Sequence, residues 1–229
     1  MPLDWARIKA ICFDVDGTLS DTDNHMVAHL IDVMHFGNRF IREDTQKRLA
    51  RWFVMAVETP GNLLYNLADL VGLDKSIIGL SEWLNRHNLR RKPDHFWIMR
   101  GVKKTLQELA VCYPLAVVSA RNRIGTEAFL QQFELSNLFS AIATSQTCRH
   151  TKPYPDPVLW AAVQMGVAPE NCLMVGDTVV DIKAGRAAGA QTAGVLCGFG
   201  TRRELERAGA DVTLTTTSDL IHTIDESVD

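Results

Sequence analysis

The stretch that decides the fold is Ile11-Cys12-Phe13-Asp14-Val15-Asp16-Gly17-Thr18-Leu19, near the start of a chain of 229 residues. Its apolar beginning, within residues 8–15, predicts a short buried strand, and Gly17 permits a tight turn after that strand. Asp14 and Asp16 lie where the strand ends, and side chains two residues apart in an extended segment project to the same side. Two adjacent carboxylates repel each other and are costly to bury, so they indicate either a surface turn or a site that holds a compensating cation or proton.

After residue 100 the sequence alternates between apolar strands and helical patterns. Strands are predicted at 115–119, 141–144, 172–175, 192–196 and 212–214. Helices are predicted over 102–111, 123–133, 157–165, 180–188, 201–208 and 218–226. Strands separated by helices of this length predict βαβ units and a parallel sheet, and near-continuous apolar strands predict that helices cover both faces.

Residues 21–100 contain no convincing strand and instead show helical patterns at 25–40, 44–58, 63–71 and 81–88. We therefore predict an α/β fold, a Rossmann-like doubly wound parallel sheet formed by residues 1–20 and 101–229. A small all-helical cap, residues 21–100, is inserted after the first strand. Ligands of open α/β sheets bind beyond the carboxyl ends of the strands, so an insert at this point emerges over the site as a lid.

A second acidic pair follows the predicted strand 172–175. Asp177 lies at the carboxyl end of that strand, and Asp181 follows four residues later, on the same side of the next helix. Each has an ordinary explanation alone, as a helix cap or as a charge in the first helical turn. Four carboxylates converging on one sheet edge indicate a hard cation, and oxygen ligands without a matching His or Cys cluster favour Mg²⁺ over zinc.

Two further strand ends carry groups that suit a phosphoryl group. Ser119 lies at the carboxyl end of one strand, with Ala120 next, and Lys152 lies in a proline-stiffened loop after another. A hydroxyl, backbone N–H groups and an ammonium together neutralise phosphate charge, although either side chain alone is more typical of a turn or a solvated surface. Arg121 either adds a phosphate contact or pairs with a neighbouring carboxylate.

Composition excludes several classes of protein. Apolar residues make up 46% and charged residues 22% of the chain, the net charge is −3 and the sequence pI is about 6.2. These values do not fit a disordered chain or a basic nucleic-acid binder. We find no secretory signal and no run long enough for a transmembrane helix, and the five cysteines are scattered along the chain. Together these features predict a cytoplasmic, reduced protein that binds neither membrane nor nucleic acid. Nothing in the pattern indicates an oligomeric state.

The motifs together resemble the haloacid dehalogenase (HAD) superfamily. DVDGT near the N-terminus, a Ser after the next core strand, a Lys in a KPxPxP loop and GDTxxD are similar to its four motifs in order and in loose spacing. The insert resembles the C1-type cap of phosphoglycolate phosphatase and its relatives in position, length and helicity. Arg121 departs from the pattern, since many relatives carry lysine there, and Thr178 replaces the usual serine.

The resemblance implies a Mg²⁺-dependent phosphatase that acts on a small phosphorylated metabolite, with phosphoglycolate as the leading single candidate. Asp14 would be the nucleophile that forms an aspartyl-phosphate, and Asp16 would be the acid and base. The phosphate would be bound by Ser119, Ala120 and Lys152. Mg²⁺ would be held by Asp14, the backbone carbonyl of Asp16, Asp177 and, directly or through a water, Asp181.

Other activities on this fold remain open at this point. A dehalogenase is disfavoured because that branch typically lacks an acid at the position of Asp16. A phosphomutase of the β-phosphoglucomutase type uses the same core carboxylates, and a pyrophosphatase is a further alternative. A catalytically silent binding or regulatory protein would not need the nucleophile and the acid/base pair together.

Overall fold

In the computed structural model, which describes residues 3–21 and 96–225, six short strands form one parallel sheet. The strands are β1 (Ala10–Phe13), β2 (Leu115–Val118), β3 (Phe139–Ala143), β4 (Cys172–Gly176), β5 (Gln191–Val195) and β6 (Val212–Leu214). Their order across the sheet is β3-β2-β1-β4-β5-β6. The chain thus winds outward from β1 to β3, returns across β1 to β4, and winds outward again on the other side.

The helices alternate with the strands, as the sequence predicts. They are α1 (Val102–Cys112), α2 (Arg123–Gln132), α3 (Asp156–Met165), α4 (Val179–Ala187), α5 (Arg202–Ala208) and α6 (Leu220–Asp225). The prediction of a doubly wound parallel α/β fold is confirmed. The strand and helix bounds mostly differ from the predicted ones by one or two residues.

Each face of β1 packs into a separate core. Ile11 and Phe13 belong to a cluster that includes residues of α1, α2 and α6. Ala10 and Cys12 belong to a second cluster, which includes residues of α3 and α4. This alternation follows from the two-residue period of a strand, and the complete burial of all four residues explains the continuous apolar run.

The topology places the switch point of the sheet between β1 and β4. Phe13 pairs with Val175 there, and the backbone N–H of Asp14 continues the ladder by donating to the Val175 carbonyl at 2.9 Å. Ligands of doubly wound sheets bind at such a switch point, beyond the carboxyl ends of the strands. The two acidic motifs therefore begin on either side of the expected ligand crevice.

The turn after β1 is tied to distant parts of the chain. The Thr217 hydroxyl donates to the Thr18 carbonyl at 2.6 Å, and the Ser218 hydroxyl donates to the Arg100 carbonyl at 3.1 Å. Residues 19–21 also pair with 97–99, through backbone bonds such as Met99 N–H to the Leu19 carbonyl at 2.9 Å. A short 3₁₀ turn, Thr217–Asp219, thus contacts both the turn after β1 and the segment that leads into α1.

The described residues belong to a compact unit that takes in 1–21 and 92–229. Residues 96–100, which the sequence analysis assigns to the cap, belong to this unit, and Phe96 is part of its core. The four predicted cap helices lie outside the described residues and stay a prediction. None of the helices in the described part of the chain has the length and apolar character needed to cross a membrane. All five cysteines are free.

Candidate active site

Three carboxylates meet at the switch point, and we call Asp14, Asp177 and Asp181 the acidic cluster. Each offers an oxygen atom, and these atoms all lie within 4.8 Å of one another. All three side chains are buried, Asp177 and Asp181 completely. Asp14 follows β1, whereas the other two residues come from the turn after β4 and the first turn of α4. The structure thus brings together three of the four carboxylates that the sequence singles out.

Lys152 bridges two carboxylates of the acidic cluster. Its Nζ donates to Oδ1 of Asp14 and to Oδ1 of Asp181, both at 2.6 Å. The lysine side chain is only 3% exposed, so this is a buried ionic network rather than a surface pair. The loop after β3 therefore places one ammonium between the carboxylate that follows β1 and the carboxylate in the first turn of α4.

Asp181 performs two tasks with its two oxygens. Oδ1 accepts the Lys152 bond, while Oδ2 accepts from the Thr178 backbone N–H at 2.9 Å and from its hydroxyl at 2.5 Å. Thr178 and Asp181 form a capping box, so the residue at the helix N-cap is Thr178 rather than Asp177. The cap of α4 thereby fixes the carboxylate that orients Lys152.

Asp177 is held from two other segments. Oδ1 accepts from the Thr18 hydroxyl at 3.1 Å, and Oδ2 accepts from the Phe199 N–H at 2.8 Å. The Gly200 N–H also donates to the Asp177 carbonyl at 3.0 Å. A Cβ at Gly198 would overlap the Asp177 carboxylate, so the loop after β5 needs glycine to approach this closely.

Burial and mutual repulsion raise the pKa of Asp14 and of Asp177. Burial raises the pKa of Asp14 to about 7, with added repulsion from Asp181 and Asp16, while Lys152 opposes the shift. Burial also raises the pKa of Asp177, and the negative charges of Asp181 and Asp14 raise it further. The hydrogen bond from the Phe199 N–H acts in the opposite direction. Burial acts to lower the pKa of Lys152, but the Asp14 and Asp181 charges raise it above its usual range.

These residues fit a divalent cation. When ionised, the acidic cluster carries three negative charges and Lys152 one positive charge, which leaves two negative charges in a desolvated site. The donors are all carboxylate oxygens, the ligand type that hard cations prefer. Burial is the main cause of the raised pKa of Asp14 and Asp177, and a bound dication would offset the carboxylate repulsion that adds to it.

Ser119 and Arg121 lie at the next strand end. The Ser119 side chain is buried, and its backbone N–H extends the β2–β3 ladder by donating to the Ala143 carbonyl at 2.9 Å. Ala120, which follows, is half-buried. Arg121 pairs with a carboxylate, the second of its two predicted roles. Its Nε donates to Oδ2 of Asp16 at 3.2 Å, and its Nη2 donates to Oδ1 of the same residue.

The sequence model of the haloacid dehalogenase-like hydrolases matches residues 11–195. The chain belongs to the haloacid dehalogenase-like hydrolase family. The matched region runs from β1 to the end of β5 and contains every residue of the acidic cluster and Lys152. The predicted family is thus confirmed, and with it an enzyme of the hydrolase class.

Curated relatives of this HAD hydrolase span nearly its whole length. It is 29% identical over 219 residues to the pyrophosphatase PpaX of Bacillus velezensis, covering 94% of this chain and 96% of the relative. It is 30% identical over 226 residues to the PpaX of Oceanobacillus iheyensis, covering 96% and 98%.

Solved structures are similar in fold. A hydrolase from Pseudomonas syringae has a TM-score of 0.65 and 25% identity, with 95% of this chain and 98% of that one covered. A predicted phosphoglycolate phosphatase from Haemophilus somnus has a TM-score of 0.62 and 22% identity, with coverage of 95% and 98%. At this identity the second likeness supports the fold alone.

Sequence reasoning misses several residues that shape the site of this HAD hydrolase. Thr18 and Phe199 hold Asp177 although they lie 159 and 22 positions away from it, and no spacing rule connects them. One signal was available, since Gly198-Phe199-Gly200 lies just beyond the predicted strand 192–196, separated from it by Cys197 alone. The Asp16 carboxylate faces Arg121, while the predicted role of its backbone carbonyl stays a prediction.

Proposed function

We propose that this HAD hydrolase is a cytoplasmic, Mg²⁺-dependent phosphatase that hydrolyses a small phosphorylated metabolite through an aspartyl-phosphate on Asp14. The observation that carries the proposal is the buried contact of Lys152 with both Asp14 and Asp181 at the switch point. An ammonium at this place neutralises a carboxylate that must approach an anionic phosphate. The site therefore suits attack on phosphorus by Asp14.

Two steps complete the reaction. An oxygen of Asp14 attacks the phosphorus atom, the bond to the leaving group breaks, and the leaving oxygen takes a proton from Asp16. Water then gives a proton back to Asp16 as its oxygen adds to phosphorus, and the bond between phosphorus and Asp14 breaks. Inorganic phosphate leaves, and both aspartates return to their starting states.

The phosphoryl oxygens would be bound by the Ser119 hydroxyl, the Ala120 N–H and Lys152. Buried donors held at fixed positions stabilise charge in the transition state more than mobile water does. Ser119 is held by the β2–β3 ladder and Lys152 by two carboxylates, so neither needs to be ordered when substrate arrives. The cap over residues 21–100 would select the leaving group.

Asp14 and Asp177 would hold the Mg²⁺ ion, together with the backbone carbonyl of Asp16. Asp181 already accepts three bonds from Lys152 and Thr178, which favours an assisting role through a water. When bound, the ion supplies positive charge that offsets repulsion between the Asp14 carboxylate and the substrate phosphate.

A pyrophosphatase is the second candidate, because two nearly full-length relatives at 29% and 30% identity bear that name. Pyrophosphate and a phosphomonoester present the same terminal phosphoryl group to Asp14. They differ in the leaving group, which is a phosphate in one case and an alkoxide in the other.

The deciding experiment measures phosphate release from pyrophosphate, phosphoglycolate, glucose 1-phosphate and other small monoesters, with Mg²⁺ and with EDTA. We expect Mg²⁺-dependent turnover that Asp14→Asn abolishes and that Asp156→Asn retains. Asp156 is a matched control, since its carboxylate pairs with His150 and is 34% exposed. Preference for pyrophosphate would select the second candidate. Absence of release from every compound, with Mg²⁺ bound, would overturn the proposal in favour of a mutase or a silent binding protein.

A further inference from the structure

Arg121 donates two hydrogen bonds to the carboxylate of Asp16. The Nε–H bonds Oδ2 at 3.2 Å, and Nη2 bonds Oδ1, so both carboxylate oxygens are engaged in a side-by-side pair. Such a pair fixes the plane of the carboxylate as well as its position. We propose that Arg121 is a positioning residue that holds Asp16 in the orientation required for proton transfer, an inference that rests on the proposed function.

Arg121 is itself held in place by an aromatic ring. Its guanidinium carbon lies 5.0 Å from the centroid of Phe96, within the range of a cation–π contact. Phe96 is 3% exposed, and Gln132 binds its backbone at both ends, accepting from its N–H at 3.1 Å and donating to its carbonyl at 2.8 Å. The support under the guanidinium is therefore anchored to α2.

The backbone of Arg121 is also fixed. Its N–H donates to the Ser119 hydroxyl oxygen at 3.1 Å, and its carbonyl accepts from the Ser145 N–H at 3.1 Å. A Cβ at Gly125 would lie 3.1 Å from Cδ of Arg121, so the first turn of α2 packs closely against the arginine side chain. One residue thus links the predicted phosphate-binding hydroxyl to the predicted acid and base.

Asp16 needs such a partner more than Asp14 does. It lies beyond the end of β1, its side chain is 29% exposed, and its carboxylate stands outside the acidic cluster as the described residues define it. Proton transfer requires the donor and acceptor to lie within hydrogen-bond reach. A carboxyl oxygen that accepts one bond from Arg121 still has a second lone-pair direction, so this pairing leaves a side of Asp16 open to the leaving group. Arg121 stays protonated and cannot replace it.

The test compares Arg121→Met with Arg123→Met, which removes the same charge two residues on. Arg123 pairs with Glu127 four residues away, and its side chain is 62% exposed, against 15% for Arg121. The readout is kcat/KM for an alkyl phosphate and for p-nitrophenyl phosphate, since kcat/KM covers the steps up to departure of the leaving group. Alkoxides need a proton to depart, and p-nitrophenolate does not.

We expect Arg121→Met to lower kcat/KM for the alkyl phosphate by about 30-fold, part of the 10²–10⁴ that general acid catalysis supplies. The value for p-nitrophenyl phosphate should change less than about threefold, and Arg123→Met should leave both unchanged. Arg121→Lys, which keeps the charge without the paired donors, should give an intermediate loss. Since a lysine side chain is no larger than that of arginine and keeps the charge, this variant also serves if Arg121→Met is poorly folded.

A double-mutant cycle with Asp16→Asn separates positioning from other roles. If Arg121 acts through Asp16, Arg121→Met should reduce kcat/KM by less than about twofold in the Asp16→Asn background, because residues that act as a unit are not additive. Equal losses for both esters, independent losses in the cycle, or a tenfold weaker inhibition by inorganic phosphate would overturn the proposal. An inactive wild-type enzyme would instead refute the proposed function.

Discussion

Lys152 and Asp14 are in direct contact, with Nζ donating to Oδ1 at 2.6 Å across 138 positions of sequence. The contact lies at the switch point of the sheet and is buried. Because Lys152 is buried against two carboxylates, its removal would leave their negative charge uncompensated. The pair therefore links the stability of the core to the chemistry of the site.

Replacing Lys152 by methionine should destabilise the protein strongly. Breaking a buried ion pair by removing one partner costs about 3–5 kcal/mol, and we expect about 3 kcal/mol in EDTA because protonation of Asp14 relieves part of the strain. Urea unfolding measures the effect. Lys103→Met is the control, since Lys103 and Glu134 form an exposed ion pair, a kind that contributes little to stability. Equal losses for the two variants would contradict this account.

Asp177→Asn should weaken Mg²⁺ binding by at least about tenfold, because it removes one charged ligand from the acidic cluster. An asparagine still offers an oxygen to Thr18 or Phe199, so the fold should persist. Titration calorimetry with MgCl₂ gives the affinity, with Asp156→Asn as the variant that should bind normally. An unchanged affinity in Asp177→Asn would show that the ion is held elsewhere.

The stability of the metal-free protein should fall as pH rises from about 4 to 7. The pKa of Asp14 is about 7 in the folded state, chiefly because of burial, against an ordinary value of 3.8. Between these values the folded state binds more protons than the unfolded state, so raising the pH favours unfolding. The stabilisation that comes from protonating Asp14 is complete below its pKa in the unfolded state, and it is lost as the pH rises through its pKa in the folded state.

Thermal unfolding in EDTA across this pH range tests the linkage. Asp14→Asn should remove only part of the dependence of stability on pH, since the pKa of Asp177 is also raised by burial. Saturating Mg²⁺ should stabilise the wild type most at the high end of the range. A wild-type stability that rises between pH 5 and 7 would be the opposite sign and would refute this assignment.

Gly198→Ala should impair the site although it replaces none of the predicted site residues. Its new methyl group would overlap the Asp177 carboxylate and displace it from Phe199. We expect an approximately tenfold rise in the Mg²⁺ concentration needed for half-maximal activity. Gly166→Ala is the matched change, since no atom lies within 4 Å of its added Cβ and only its φ of +69° is strained. It should cost about 1–2 kcal/mol of stability and leave the Mg²⁺ requirement unchanged.

The fold is readable from the sequence because its strands are continuous apolar runs. The bounds of β6 are predicted correctly, whereas β3 begins at Phe139, two residues before the predicted start at 141. The register between β2 and β3 shifts, and Ser140 is exposed, so a polar residue interrupts the strand pattern. The last helix begins at Leu220 rather than 218, because Thr216 and Asp219 form a capping box around a 3₁₀ turn.

The site is readable where a residue follows a strand directly. Asp14, Asp177 and Ser119 meet that condition, and the structure places them at adjacent strand ends. Asp16 does not follow β1 directly. The chain turns at Gly17, whose φ is +75°, and the rule that alternate side chains point to the same side holds only within the strand. The sequence allows Arg121 a carboxylate partner as one of two roles, but it does not identify Asp16, 105 positions away, as that partner.

The hydrogen bond from the Thr217 hydroxyl to the Thr18 carbonyl changes how variants of this protein should be interpreted. The family match ends at residue 195 and the last motif at 181, so a survey guided by motifs would treat everything after them as peripheral. Yet the hydroxyl of Thr217 supports the same turn whose Thr18 side chain holds Asp177. A missense change at 217 therefore belongs with active-site changes, and cutting the chain after 195 would remove β6 and a structural part of the enzyme's working centre.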